Sequence, residues 1–180
     1  AKFEKAGETT NVGGFIDVKS SDWFAEAVQY VVDEGLMNGT SSNTFTPYGD
    51  TTRGMIVTIL YRLEQEPAVQ SSAGFTDVAP NQYYADAVDW AAENGIVTGY
   101  GDGTFGPNNK VTREQLAAIL YRYAAHVNAD AGAKGELGGF KDASQISGYA
   151  EEALKWAVGS GLMTGKGNQT LDPRGNATRA

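Results

Sequence analysis

The sequence predicts a mainly α chain made of three copies of one helix-loop-helix unit, and three observations carry that prediction. The first is internal repetition: Phe15-Ile16-Asp17-Val18, Phe75-Thr76-Asp77-Val78 and Phe140-Lys141-Asp142-Ala143 open successive units, 60 and 65 residues apart. The second is periodicity, since Phe24, Ala27, Val28, Val31 and Tyr84, Ala87, Val88, Ala91 fall three and four apart, which puts them on one face of a helix. The third is helix punctuation. Gly35, Gly95 and Gly161 suit a left-handed C-terminal residue, and Thr112-Arg113-Glu114-Gln115 reads as a capping box.

Each unit runs in the same order. An aromatic pair or a single aromatic (Trp23-Phe24, Tyr83-Tyr84, Tyr149) starts the first helix, expected over 23–34, 83–94 and 149–160. A Gly-aliphatic step follows (Gly35-Leu36, Gly95-Ile96, Gly161-Leu162), and that aliphatic can fold back on the last turn. Then come Gly39, Gly99 or Gly165, a polar turn, and Phe45-Thr46-Pro47, Phe105-Gly106-Pro107 or Leu171-Asp172-Pro173. Thr52-Arg53 and Thr112-Arg113 open second helices over 52–64 and 112–125, with apolar stripes Ile56, Ile59, Leu60, Leu63 and Leu116, Ile119, Leu120, Tyr123. Gly54 and Met55 leave the first of these caps weaker by about 0.5–1 kcal/mol.

The third unit reaches Thr178-Arg179-Ala180, where its second helix would begin, so that helix is missing. The expected organisation is an N-terminal extension over 1–13 and repeats over 14–66, 74–127 and 139–180, joined by polar linkers at 67–73 and 128–139. With the third helix absent, Leu60 and Leu120 are expected to be partly uncovered unless a further segment or self-association covers them.

Composition narrows the function. The 180 residues are 41% hydrophobic with no Cys, so disulfides and thiolate metal sites are excluded. A net charge of −8 argues against nucleic acid, which needs a basic stripe, and no apolar run is long enough for a membrane span. No metal or other cofactor is expected: the Gly101-Asp102-Gly103 turn has one carboxylate where a calcium loop needs several. Nor is an enzyme, because His126 is the only His and Glu151-Glu152 reads as a solvated helix face.

Taken together, F-x-D-V, G-L/I-x-x-G, G-D-G-T-F-x-P and T-R-E-Q resemble the S-layer homology (SLH) domain in a tandem trio over about residues 14–180, the second copy being closest to the pattern. The resemblance implies a pseudo-threefold arrangement of the repeats around a central helical bundle. It also implies non-covalent anchoring of a surface or exported protein to the bacterial cell wall, through a secondary cell-wall polysaccharide that is often a pyruvylated glycan. The location implied is extracellular, at the cell wall or S-layer. Gly54 after Arg53, Thr40-Ser41-Ser42 in the first turn and the missing third helix depart from the pattern. A helical-repeat protein interaction module is the alternative, distinguished by a continuous apolar groove.

Candidate ligand-binding residues follow from repetition. Arg53, Arg113 and Arg179 occupy one position at a helix start, where a guanidinium fork beside unpaired N–H groups suits a carboxylate. The competing role is a structural ion pair with Asp17, Asp77 or Asp142. Gly101, Asp102, Gly167 and Lys166 lie in turns that can offer N–H groups or a cation to a sugar, or simply solvated tight turns. Trp90 and Trp156 can stack on a sugar or pack in the core, and Asp77 can cap a helix or touch the ligand.

Overall fold

The computed structural model describes residues 10–180. Its elements in chain order are β1 (Asn11–Val12), β2 (Phe15–Lys19), α1 (Ala25–Asp33), α2 (Arg53–Leu63), α3 (Ala85–Glu93), α4 (Arg113–His126) and α5 (Glu151–Gly159), with short 3-10 turns at Ala143–Gln145, Gly148–Ala150 and Gly167–Gln169. The chain is mainly helical, as the periodicity predicts. It divides into two compact units: Asp50–Ala177 forms one, and the described residues up to Gly49 form the other with Thr178–Ala180.

In the smaller unit, the first repeat begins with a hairpin that the helical reading did not include. β1 pairs antiparallel with β2 across Gly13 and Gly14, both at positive φ (61° and 79°), which is the backbone a two-residue hairpin turn demands. Of the expected extension, residues 1–9 lie outside the described residues, and 11–12 belong to this hairpin. The unit's buried apolar set includes Phe15, Val18, Phe24, Val28, Leu36 and Phe45.

The larger unit holds two apolar clusters. α2, α3 and α4 meet through Val57, Leu60, Val88, Trp90 and Ile119, while α4 and α5 meet through Ala117, Ala118, Leu154 and Trp156, joined by Leu171 from the loop after α5. Leu60 is therefore buried at 4% exposure, against the expectation that it is partly uncovered, because α3 covers it; Leu120 is partly buried. Near the starts of α2 and α4, equivalent residues of the three repeats close a ring of backbone hydrogen bonds. Thr51 N–H donates to Ala177 O (2.9 Å), Val111 N–H to Thr51 O (2.9 Å) and Ala177 N–H to Val111 O (2.8 Å).

Local signals account for the helix ends. Thr112 and Gln115 form the reciprocal capping box, and Thr52 caps α2 through Met55 N–H alone. Gly35, Gly95 and Gly161 all adopt positive φ after α1, α3 and α5. After α3 the turn is a full Schellman motif, with Ile96 N–H to Ala91 O and Gly95 N–H to Ala92 O. Leu36 and Ile96 fold back and are buried, but Leu162 is 61% exposed; the next residue, Met37, Val97 or Met163, is buried in all three copies, its N–H bonded to Val31, Ala91 or Ala157 O.

The linkers are docked rather than loose. Ala73 N–H donates to Asp89 of α3, and Gly135 N–H donates to Lys155 O of α5. Gly159 permits that second approach, since a Cβ there would meet the Gly135 nitrogen at 2.5 Å.

Candidate functional site

Each repeat folds its loop onto its opening F-x-D. Gly39, Gly99 and Gly165 pack so closely that a Cβ would lie 2.5, 2.5 and 2.7 Å from the ring of Phe15, Phe75 and Phe140, which is why the position is glycine in all three copies. The Asp carboxylate then grips the loop by two adjacent N–H groups. Asp17 accepts from Phe45 and Thr46 (2.8 and 2.7 Å), Asp77 from Phe105 and Gly106 (both 2.8 Å), and Asp142 from Leu171 and Asp172 (2.9 and 2.8 Å). These aspartates are loop clamps, and none caps a helix: α1, α3 and α5 have no side-chain cap bond. The Leu171 N–H bond, reinforced by Asp172 N–H and Arg113, outweighs burial and lowers the Asp142 pKa. Burial acts upward on Asp17, but the Phe45 and Thr46 N–H groups and Arg179 more than offset it.

The arginines hold the other side of the same loops. Arg53 donates from Nε to Phe105 O (2.8 Å) and from Nη2 to Thr98 O (2.9 Å), reaching from the first repeat into the second. Arg113 makes the equivalent pair with Leu171 O (2.8 Å) and Thr164 O (2.7 Å) in the third repeat, and Arg179 with Phe45 O (2.8 Å) and Asn38 O (2.7 Å) in the first. The loop peptide is thus held by a carboxylate at its N–H and a guanidinium at its C=O. The sequence offered the arginines an ion pair or a ligand; the geometry gives them carbonyl acceptors, with the clamp aspartate acting at longer range. Nη1 of Arg53 and of Arg113 has no hydrogen bond among the described residues. Burial lowers the pKa of both, although each stays cationic near neutrality.

What stands beside each arginine differs from copy to copy. Thr46, Gly106 and Asp172 are equivalent, and all have positive φ (57°, 71° and 54°). Each faces the residue after the loop-opening glycine: Thr40 bonds Thr46 through hydroxyls 2.6 Å apart, Tyr100 lies over the space left by Gly106, and Lys166 pairs with Asp172 at 2.7 Å. The Arg53 guanidinium lies over Tyr100 and Phe105 (4.9 and 4.4 Å to the ring centroids), and Arg179 over Phe45 at 4.5 Å. Arg53 is only 7% exposed, whereas Arg113, with Leu171 in place of a ring, is half-buried.

The remaining candidates separate. Gly101 has positive φ and open space around it, and the Asp102 carboxylate accepts from Thr104 N–H and Oγ1, so it is engaged within its own turn. Gly167, likewise open, starts the 3-10 turn after Lys166. Trp90 and Trp156 are 4% and 5% exposed and present no ring face to solvent: Trp90 packs on Tyr61 and His126, Trp156 on Tyr121. Among the exposed aromatics are Trp23 (78%), Tyr83 (61%) and Tyr149 (56%), whose neighbours Phe24, Tyr84 and Ala150 are buried. Sequence reasoning treated them only as helix openers. A comparison of the three copies position by position carries a further signal, the matched Thr/Thr, Tyr/Gly and Lys/Asp pairs, which reading each copy alone does not reveal.

Glu151 and Glu152 are paired with Lys155, and Glu152 also with Lys134, as a solvated face should be. Among the described residues no His, Asp or Glu group could hold a metal ion, and no helix is long and apolar enough to cross a membrane.

Comparison with known proteins matches this repeat. The S-layer homology domain matches residues 14–54, 74–117 and 139–180. The chain is 32% identical over 170 residues to an endoglucanase of Bacillus sp. (strain KSM-635), covering 94% of this chain and 18% of that protein. It is 34% identical over 166 residues to the surface-layer 125 kDa protein of Lysinibacillus sphaericus, covering 89% and 13%. Over 124 residues it is 28% identical to a cellulosome-anchoring protein of Acetivibrio thermocellus, covering 65% and 27%. The chain therefore spans under a fifth of the first two relatives and just over a quarter of the third.

Proposed function

Because the chain belongs to the S-layer homology family, with three copies of its domain, we propose that it anchors a surface or exported protein to the bacterial cell wall by binding a secondary cell-wall polysaccharide bearing acidic, for example pyruvylated, sugars. Family membership puts it at the cell surface. The observation that carries the ligand reading is the thrice-repeated arginine, fixed by two loop carbonyls and, in Arg53 and Arg113, keeping Nη1 uncommitted. A guanidinium already held in place loses little entropy on meeting a carboxylate, and it keeps its charge at any pH the wall experiences. The chain's net charge of −8 does not prevent this, because screening over about 8 Å leaves the nearest cation in control.

The same segment recurs in relatives named as an endoglucanase and as a surface-layer protein, which supports attachment rather than catalysis as its contribution. Within the larger unit, the backbone ring of Thr51, Val111 and Ala177 and the matching Arg53 and Arg113 pairings relate equivalent residues of successive repeats.

The test is co-sedimentation with purified walls before and after the non-peptidoglycan polymer is stripped away. Binding is expected to depend on that polymer, and Arg113→Ala to weaken it roughly 10- to 150-fold, the loss of one charge-assisted contact. Equal binding to stripped walls, or full binding by the triple Arg53, Arg113 and Arg179 alanine variant, would overturn the reading.

A further inference from the structure

The three arginine sites share a frame but not an occupant-facing pair, and that difference bears on which of them takes an acid. Beside Arg53, Tyr100 covers the guanidinium face. Beside Arg179, Thr40 and Thr46 offer hydroxyls only. Beside Arg113, the pair is itself ionic, with Lys166 Nζ 2.7 Å from Asp172 Oδ2 and side chains 52% and 41% exposed. Lys166 lies in the loop whose Thr164 and Leu171 carbonyls Arg113 holds. Two cations therefore border one loop, and one accessible carboxylate pairs with the second.

We propose that Asp172 is a displaceable internal counter-ion: an acidic sugar binds at the Arg113 site by exchanging its own carboxylate for that of Asp172 on Lys166, while Arg113 donates its uncommitted Nη1. This rests on the anchoring function proposed above and specifies which of its sites takes the acid and how. Three features make exchange feasible. The Lys166–Asp172 pair is solvent-exposed, so opening it costs little. Asp172 is held by its backbone, through its N–H to Asp142, so its side chain can swing away without the loop losing its clamp. Asp172, ahead of Asp142, also stabilises the Arg113 cation, so the incoming carboxylate replaces a charge that both cations already feel instead of adding one.

The experiment uses the whole chain and two probes, a methyl glycoside carrying a 4,6-linked pyruvyl ketal and its methyl ester, titrated by NMR. Asp172→Asn keeps a side chain tolerant of positive φ. It is expected to raise affinity for the acid roughly 1.5- to 5-fold, the range of an exposed ion pair, and to leave the ester unchanged. Lys166→Gln is expected to weaken the acid and to remove the gain when combined with Asp172→Asn, giving a non-additive cycle. Should Asp172→Asn fail to fold, Lys166→Gln alone decides, since undiminished acid binding refutes the exchange.

The failures are distinguishable. If Arg113→Ala loses acid binding while Asp172→Asn gains nothing, or gains equally with Gln at 166, the counter-ion role falls and wall anchoring stands. If Arg113→Ala also binds the acid fully, the ligand reading beneath it falls too.

Discussion

The loop that Arg53 grips and the loop that Arg113 grips share one backbone plan inside one compact unit, yet their surroundings have been filled in opposite ways. At the first, Gly54 leaves room for the Tyr84 ring, and a Cβ on residue 54 would come within 3.1 Å of both that ring and Pro107 O. At the second, Ala150 stands at the position of Tyr84, and the carboxylate of the equivalent Glu114 accepts from Ser147 N–H (2.9 Å), Ser147 Oγ (2.8 Å) and Tyr149 Oη (3.3 Å). Burial, with Glu114 beside it, pushes the Tyr149 phenol up to about 12. Gly54 departs from the repeat pattern because the ring of the next repeat occupies the space an acid would need. The difference teaches that the frame is fixed by main-chain bonds, while side chains set each junction's character: one is packed and closed, the other polar and half-open.

The largest expected effect separates the two arginines. Arg53→Ala removes two bonds to carbonyls and a guanidinium buried against two rings, and is expected to cost about 3 kcal/mol in urea unfolding. Arg113→Ala, at a half-exposed site, is expected to cost about 1.5 kcal/mol. Equal losses would show that the closed and open descriptions have no energetic content.

Next come the matched seats. Gly54→Glu forces a side chain against Tyr84 and is expected to destabilise by about 1–3 kcal/mol, and Tyr84→Ala in the same chain to relieve part of the strain. Glu114→Gly leaves the Ser147 N–H without its acceptor and is expected to cost about 1–3 kcal/mol. Additive behaviour of Gly54→Glu with Tyr84→Ala would refute the steric account.

Much of this was legible beforehand, and the boundary is physical. Helices, caps and the C-terminal glycines depend on residues within about four positions of one another, and α1 to α5 fall within two residues of the expected spans. The aspartates and arginines were found as repeated positions, but their partners lie 28 to 141 residues away, beyond what local spacing can reveal. Burial of Trp90 and Trp156 and exposure of Trp23 depend on which helix face meets a neighbour. Gly13-Gly14 alone does not announce the hairpin, because the same pair stands before Phe140, where neither Gly138 nor Gly139 takes positive φ and no strand forms.

A pH experiment sharpens the comparison at smaller amplitude. Asp142 has a folded pKa below its unfolded value, so its clamp contributes stability that is fully present above the ordinary carboxylate range and is lost as pH falls through the lowered folded value. Urea midpoints of the native chain should decline below about pH 4, and Asp142→Asn should flatten that decline while lowering stability at pH 7. Identical acid slopes for the two proteins would mean the Leu171 and Asp172 N–H bonds do not favour the ionised form.

The smallest effect is expected from transplanting the open junction's pair onto the closed one, through Tyr100→Lys with Gly106→Asp. Residues 106 and 172 both have positive φ, at 71° and 54°, and Asp is among the few side chains that tolerate such backbone. The new Lys-Asp pair is solvent-exposed in its original setting, so it is expected to add little. Against that stands the loss of Tyr100 over Arg53, about 0.5–1 kcal/mol, and of its hydroxyl contact from Asn109. The net change should stay near 1 kcal/mol, with Arg53 more accessible from the face the ring had covered. If the loop frame is independent of the pair it presents, the double variant unfolds cooperatively and stays within that range. A loss well above 2 kcal/mol would show that Tyr100 is part of the frame itself, and that the two junctions differ in architecture and not only in what they display.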